Sequence, residues 1–170
     1  FVHPFEDKDV VIGQATLALE IIEQAEEPID YILVPIGGGG LISGVWHVFK
    51  TLSPQTKVIG IEPEGAPAMQ QSLSNGKNME LNEIDPFVDG AAVRKVGDDA
   101  FTLCKTYLDK LVLVSEGKIC QSILKLYNKE AIVVEPAGAM STASLKMITD
   151  EIKGKNVVCL ICGGNNDITR

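Results

Sequence analysis

The chain has 170 residues, 45% of them apolar, with a formal net charge of −8 and a pI near 4.7. That length supplies one domain with a full core and falls short of two ordinary ones. The acidic balance, with no cluster of Lys or Arg to reverse it, argues against nucleic acid as a partner, and no apolar run reaches the length of a membrane helix.

The opening at Phe1 has neither the basic region nor the apolar stretch of a signal peptide, so the chain reads as beginning mid-protein. Residues 9–27 place apolar side chains at 11, 15, 18, 19, 22 and 25, one face at helical spacing, with Asp7 or Asp9 to cap it and Pro28 to end it. Residues 31–36 are a continuous apolar run, as in a strand buried on both faces. Four glycines follow, Gly37 to Gly40, and residues 41–52 resume as a helix that Pro54 stops. Residues 57–61 repeat the strand signal, Glu62-Pro63-Glu64-Gly65-Ala66 turns the chain, and residues 67–75 read as helix. Residues 76–97 break this rhythm with Asn75-Gly76, Asp85-Pro86 and Asp89-Gly90, and read as an irregular excursion over the sheet.

A third round runs through a strand at 111–114, Ser115 as a candidate N-cap, and a helix to about Lys129. Residues 131–134 supply another short strand, and Glu135-Pro136-Ala137-Gly138-Ala139 leads into a helix over 140–152. Residues 156–161 are the last strand, ending at Cys162-Gly163-Gly164-Asn165, where a strand-to-helix junction is set up and little chain remains to fill it. The recurrence of Glu-Pro-x-Gly-Ala at 62 and 135 is weak as a repeat, since proline belongs just inside helix starts. Strands alternating with helices predict an α/β fold of three layers, a mostly parallel sheet with helices on both faces. Ligands of such sheets gather at the carboxyl ends of the strands, where the glycine loops fall.

The four glycines read as a phosphate cradle. Without Cβ atoms, successive N–H groups can turn onto one anion, and the helix that starts there adds its positive end. A mononucleotide P-loop is excluded, because Gly39 and Gly44 have the required separation but Val45 and Trp46 follow in place of Lys-Ser/Thr. A dinucleotide fingerprint started at Gly37 or Gly38 meets Ile42 or Ser43 at its sixth position, although Glu62 stands where an acidic ribose ligand would. The alternative to any phosphate is a tight turn that needs glycine for its own shape.

Four cysteines, at 104, 120, 159 and 162, are scattered in mostly apolar surroundings and suit reduced thiols of a cytosolic protein. Cys159-Leu160-Ile161-Cys162 spells Cys-x-x-Cys, but strand positions three apart face opposite ways and no second pair completes a zinc site. His3 and His47 have no partners at ligand or triad spacing and read as structural.

Four segments taken together resemble the tryptophan-synthase-like pyridoxal phosphate enzymes, and among them the threonine dehydratase branch. They are Pro35 through Gly44, Val88-Asp89-Gly90-Ala91-Ala92-Val93, Val134 through Ala139, and Ile161-Cys162-Gly163-Gly164-Asn165. The opening Phe1 to Asp7, with Gly13-Gln14-Ala15-Thr16, is similar to that branch too, so the resemblance covers essentially the whole chain. It implies pyridoxal phosphate as cofactor, its phosphate held by the backbone of Gly37, Gly38, Gly39, Gly40 and Leu41, and Cys162 against the pyridine nitrogen. A neutral thiol there makes a weaker electron sink than a carboxylate, which suits β-elimination.

The implied activity is deamination of L-threonine to 2-oxobutanoate and ammonia, in isoleucine biosynthesis or threonine breakdown, by a cytoplasmic homo-oligomer acting on a small amino acid. The lysine that binds the cofactor in this family lies in a Ser-Phe-Lys-x-Arg-Gly-Ala type motif, and the substrate carboxylate is held by Ser-x-Gly-Asn-His. Neither motif occurs here, so no catalytic role falls on any of the thirteen lysines. The chain reads as the carboxyl-terminal half of a catalytic domain, with no activity alone. Glu62-Pro63 followed by Ala66 and Ala68 resembles the divalent-metal segment of serine racemases, but Ala68 replaces the aspartate there, which argues against a metal. Gly90 would let the backbone pass close to the ring, and Glu135 falls near the cofactor in the family pattern. The rival assignments are serine dehydratase, serine racemase and related enzymes of the family, or a non-catalytic nucleotide-binding module using Glu62 for ribose.

Overall fold

The computed structural model describes residues 1–166, and the expected helix beyond Asp167 lies outside them. Asp7 supplies the cap of α1 (Lys8–Gln24), its carboxylate accepting the Asp9 N–H at 2.9 Å. The helix stops at Gln24, ahead of the expected residue 27, because the chain must be extended before Pro28. Strand β1 (Tyr31–Pro35) is buried at every position. Helix α2 (Gly40–Leu52), β2 (Lys57–Pro63) and α3 (Ala68–Asn75) follow, with Gly76 at φ +69° ending α3.

The excursion at 76–97 contains no helix or strand, yet it is tucked in: Val88, Ala91 and Val96 are buried. It ends in a helix that the sequence reading omitted, α4 (Asp98–Tyr107), whose apolar stripe Ala100, Phe101, Leu103 and Cys104 packs inward. Strand β3 (Lys110–Val114) leads into α5 (Glu116–Glu130). Ser115 stands at the N-cap without a side-chain bond.

Two expected elements differ. Residues 131–134 are not a strand: α5 runs on to Glu130, Ala131 caps it in the left-handed region at φ +56°, and the segment then lies extended. A hydrogen bond from Asn166 Nδ2 to Val134 O at 3.3 Å ties its end to the segment after the last strand, and the next residue, Glu135, donates its N–H to Gly163 O at 3.1 Å. The expected helix over 140–152 starts earlier, as α6 (Pro136–Ser144), then tightens into a 3-10 turn (Leu145–Met147) and a last turn, α7 (Thr149–Ile152). Ser and Thr side chains in α6 bond back to their own backbone, Ser144 Oγ to Ser141 O at 2.7 Å among them, which competes with helix continuation. Strand β4 (Val157–Cys159) closes the sheet.

Among the described residues the four strands are all parallel, in the order β3-β2-β1-β4, with Tyr31 opposite both Lys57 and Val157, and Ile59 opposite Lys110. Alternation along β1 sends Ile32 and Val34 to one side, into a cluster with Val45 and Phe49 of α2, Met69 of α3 and Ala100 of α4. Tyr31 and Leu33 face the other side, with Ile119 of α5 and Met140 of α6. The sheet is thus the middle of three layers. From β1 the chain steps to β2 through α2 on one face, whereas β4 returns to the opposite side of β1 from the layer of α5 and α6. Strand order therefore reverses between β1 and β4, and the crevice outside their carboxyl ends is where such sheets bind ligands.

Candidate functional site

Gly37 to Gly40 leave β1 at that reversal. The strand's last ladder bond is Ile36 N–H to Ile61 O at 2.7 Å, after which the backbone turns and α2 begins at Gly40. Gly39, the N-cap, has φ +99°, and any Cβ there would strike the Cβ of Ala100 at the start of α4. A Cβ on Gly37 would lie 2.9 Å from the Cα of Ala91, so the excursion's backbone passes against the loop. The Gly39 carbonyl accepts both the Ser43 hydroxyl, at 2.7 Å, and the Ser43 N–H, at 3.1 Å, which closes the first turn of α2. The Gly38 carbonyl accepts the Gly97 N–H at 2.9 Å.

The carbonyls of Gly38 and Gly39 are tied to protein and the amides of the loop are not. Among the described residues, the N–H groups of Gly37 through Leu41 donate to no protein acceptor. They line a cavity of about 320 Å³ that also takes in Phe5, Gln14, Gly90, Ala91, Glu135, Ala137 and Cys162. A row of free amides at a helix start is an anion site, with a positive end worth about half a unit charge.

Across the cavity, Cys162 follows β4. Its surface opens to the cavity. The protein around it nevertheless disfavours the thiolate, and the Glu135 carboxylate adds to this, so the thiol is pushed above its ordinary value and stays protonated at neutral pH. Glu135 lies between Gly90 and Gly163, close enough that a Cβ on Gly90 would be 3.1 Å from its Oε1. The predicted site residues thus converge: the glycines and Leu41 form one wall, and Gly90, Glu135 and Cys162 line the same space. None of the thirteen lysines does.

Glu62 stands apart. It is 1% exposed, and its two oxygens accept the N–H groups of Met69, at 2.7 Å, and Gln70, at 2.9 Å, so it caps α3 from the end of β2. Pro67, at the N-cap position of α3, has no side chain for that task. Both the ribose-ligand and metal-ligand readings required Glu62 to face a ligand. Its carboxylate faces a helix end, and burial pushes its pKa to about 7 against the lowering effect of the two amides. His47 bonds the Ser43 carbonyl at 2.7 Å, and His3 accepts the Glu6 N–H at 3.2 Å.

Sequence reasoning missed Phe5, Gln14 and Ala100 as neighbours of the loop, because they arrive through contacts distant in sequence. Gly97 had a local signal, a glycine directly before Asp98-Asp99, which is how a helix start is written. Two cavities of similar size lie elsewhere. One is the apolar recess behind α2, lined by Val11, Ile12, His47 and Leu103; the other is a groove between α5 and α6 edged by Lys118, Lys125, Lys129 and Lys146. Neither presents a row of backbone amides.

Comparison with known proteins gives the family and the fold. The sequence profile of the family described as "Pyridoxal-phosphate dependent enzyme" matches residues 1–163. The biosynthetic L-threonine dehydratase IlvA of Halalkalibacterium halodurans is 58% identical over 170 residues, all of this chain and 41% of that protein. In structure, the processed form of threonine deaminase isoform 2 from Solanum lycopersicum superposes with a TM-score of 0.92 at 38% identity, over 99% of this chain and 49% of the other. Serine racemase from Dictyostelium discoideum gives 0.88 at 35% identity, covering 98% and 53%. The chain thus spans about two fifths of the length of the curated relative it matches.

Proposed function

The chain belongs to the pyridoxal-phosphate-dependent enzyme family, and on that premise we propose that it is the carboxyl-terminal half of the catalytic domain of a threonine dehydratase. The activity is deamination of L-threonine to 2-oxobutanoate and ammonia by β-elimination, in isoleucine biosynthesis. The observation that carries this reading is the row of five free amides, Gly37 to Leu41, at the strand-order reversal and opposite a protonated Cys162. The 58% identity to a biosynthetic threonine dehydratase, against 35% to a serine racemase, favours threonine over serine chemistry.

Pyridoxal phosphate fits the residues present. The amides supply donors for a phosphate, and the positive end of α2 offsets its charge. The cavity beyond is lined by Ala91 and Ala137 together with the polar side chains of Gln14, Glu135 and Cys162. When bound, the cofactor supplies an electron sink for the charge that develops when a Cα proton leaves an amino acid. This chain's share of the work is to hold the phosphate, to keep the Cys162 proton in place as a neutral hydrogen-bonding partner, and to wall the ring with Gly90 and Ala91. Attachment of the cofactor, the base and the substrate clamp are not assigned to any residue here. The whole enzyme is proposed to be a cytoplasmic homo-oligomer without nucleic acid or membrane partners. Among the described residues, no helix is long and apolar enough to cross a membrane.

The test is ligand-dependent melting of this chain. Pyridoxal phosphate at a hundredfold excess over its dissociation constant is expected to add about 2.7 kcal/mol. For a domain of this size that corresponds to a rise in Tm of roughly 5–10 °C. NAD and ATP are expected to leave Tm unchanged, and no imine absorption band or 2-oxobutanoate should appear with threonine. A larger rise with NAD, or threonine turnover by the chain alone, would overturn the reading.

A further inference from the structure

The amides of the cradle can face an anion only if their carbonyls are held from behind, and α4 provides the hold. Gly97 N–H takes the Gly38 carbonyl at 2.9 Å, and Ala100, one turn on, backs Gly39 so closely that a Cβ there would collide. The start of α4 has acids that suit the helix dipole but no side-chain cap of its own. Its N-cap is Gly97, with no side chain to offer, and its first turn carries Asp98 and Asp99.

The missing cap comes from 92 positions away. Glu6 Oε1 accepts the Asp98 N–H at 3.0 Å, and a Cβ on Gly97 would lie 2.9 Å from Glu6 Cγ, so only a bare backbone admits the approach. Glu6 is itself held: its own N–H donates to His3 Nδ1 at 3.2 Å, and His3 Nε2 lies 3.4 Å from its second oxygen. Its neighbour Phe5 packs its ring over Gly38 and lines the cavity. On the far side, Asn78 and Lys95 both bond the Asp98 carboxylate, at 2.5 and 3.1 Å, which fixes the same turn from the excursion.

From this chain of contacts we infer that Glu6 is a positioning residue for the cradle: by capping α4 in trans it fixes the Gly97 amide that turns the Gly38 peptide and aims the loop's N–H groups into the cavity. Its role toward pyridoxal phosphate rests on the proposed reading of the cradle; its role toward the loop does not. Glu6 touches no reacting group. Its effect is to hold the loop that carries five unbonded donors before an anion arrives, so that binding carries less cost of ordering them.

The test compares Glu6→Ala, Glu6→Gln and Glu6→Asp with a control, Asp109→Ala, in the whole 170-residue chain. Asp109 bonds Val58 N–H and Lys50 and lines no part of the cradle cavity, so its loss lowers global stability without touching the loop. Two quantities are read: hydrogen exchange of the Gly97 and Ser43 amides, which bond the cradle carbonyls (cradle exchange), and the dissociation constant for pyridoxal phosphate from quenching of the single Trp46. Loss of one cap is worth about fivefold, so Glu6→Ala should speed cradle exchange and weaken binding by about that factor. Glu6→Gln keeps an acceptor oxygen and should return both to within about twofold, with Glu6→Asp, one methylene shorter, between.

Unchanged exchange of the Gly97 and Ser43 amides in Glu6→Ala would overturn the inference. So would a uniform acceleration matching Asp109→Ala, since that is the mark of a merely structural cap. Should Glu6→Ala not fold, the comparison of Glu6→Asp with Glu6→Gln decides by the same two criteria. If the unaltered chain binds no pyridoxal phosphate while its cradle exchange still responds to Glu6, the positioning role stands and the cofactor reading fails.

Discussion

Replacing Glu62 with Gln should change the pH dependence of folding. Glu62 is buried at the end of β2 with its carboxylate on the first amides of α3, and burial raises its pKa from an ordinary 4.5 to about 7. In this pH window the folded chain holds a proton that the unfolded chain releases, so stability falls as pH rises from 4.5 and levels off above about 7. At ~1.4 kcal/mol per unit, the whole fall is about 3 kcal/mol. Glutamine is neutral throughout and keeps one acceptor for the helix end, as does the protonated acid, so its curve lacks this contribution. The two proteins should be within about 1 kcal/mol of each other at pH 5.5, and the variant should be the more stable by about 2 kcal/mol at pH 8. Urea unfolding followed by circular dichroism at four pH values and fixed ionic strength gives the difference directly, because the remaining carboxylates cancel between the two. A difference that does not change with pH, or a wild type that gains on the variant toward pH 8, would refute the argument that desolvation outweighs the two amide bonds.

Gly39→Ala puts a side chain at φ +99° and into the Cβ of Ala100, which should cost about 2–3 kcal/mol in urea unfolding and, by tilting the loop, weaken binding of inorganic phosphate or pyridoxal phosphate at least tenfold. The cysteines should react in order of exposure and thiol acidity: Cys120, on the outer face of α5, is expected to be labelled first by a thiol reagent at pH 8. Cys104 and Cys159, with burial pushing their thiols up to about 12 and about 11, should stay unmodified until the chain unfolds, which mass spectrometry of timed samples checks.

Most of the fold could be read from the sequence where one element carried its own signal. The buried runs of β1 and β2 and the helix after the glycines lie within two residues of their expected bounds, because apolar periodicity is a local property. The failures share a cause. Residues 131–134 have a strand's composition, Ala131-Ile132-Val133-Val134, but a strand needs a ladder partner, and these residues lie extended without one, with Ile132 and Val133 exposed. α4 opens with Gly-Asp-Asp and is only ten residues long, so its apolar face was too short to stand out beside the loop before it. The site is half legible. Composition marks the glycines as a candidate anion loop, and only the family resemblance singles out Cys162. The rival nucleotide reading makes Glu62 a ligand because sequence spacing cannot tell an acid that faces a cavity from one that faces a helix end.

The four glycines carry less information by themselves than the free amides beside them. Packing alone demands a bare backbone at Gly37, against Ala91, and at Gly39, against Ala100, so a tight turn wedged between the excursion and α4 would have the same sequence whether or not it met an anion. What separates the two readings is the direction of the peptides. In a turn that serves only its own shape, N–H groups as well as carbonyls find protein partners, since a desolvated amide without one costs about 1–3 kcal/mol. Here the carbonyls of Gly38 and Gly39 are bonded to Gly97 and Ser43, while the amides of Gly37 through Leu41 have no protein acceptor and belong to residues that line one cavity. Satisfying one side of the loop from behind and leaving the other side free is how a backbone is prepared for a phosphate, and it requires the neighbours, Gly97 and Ser43, as much as the glycines.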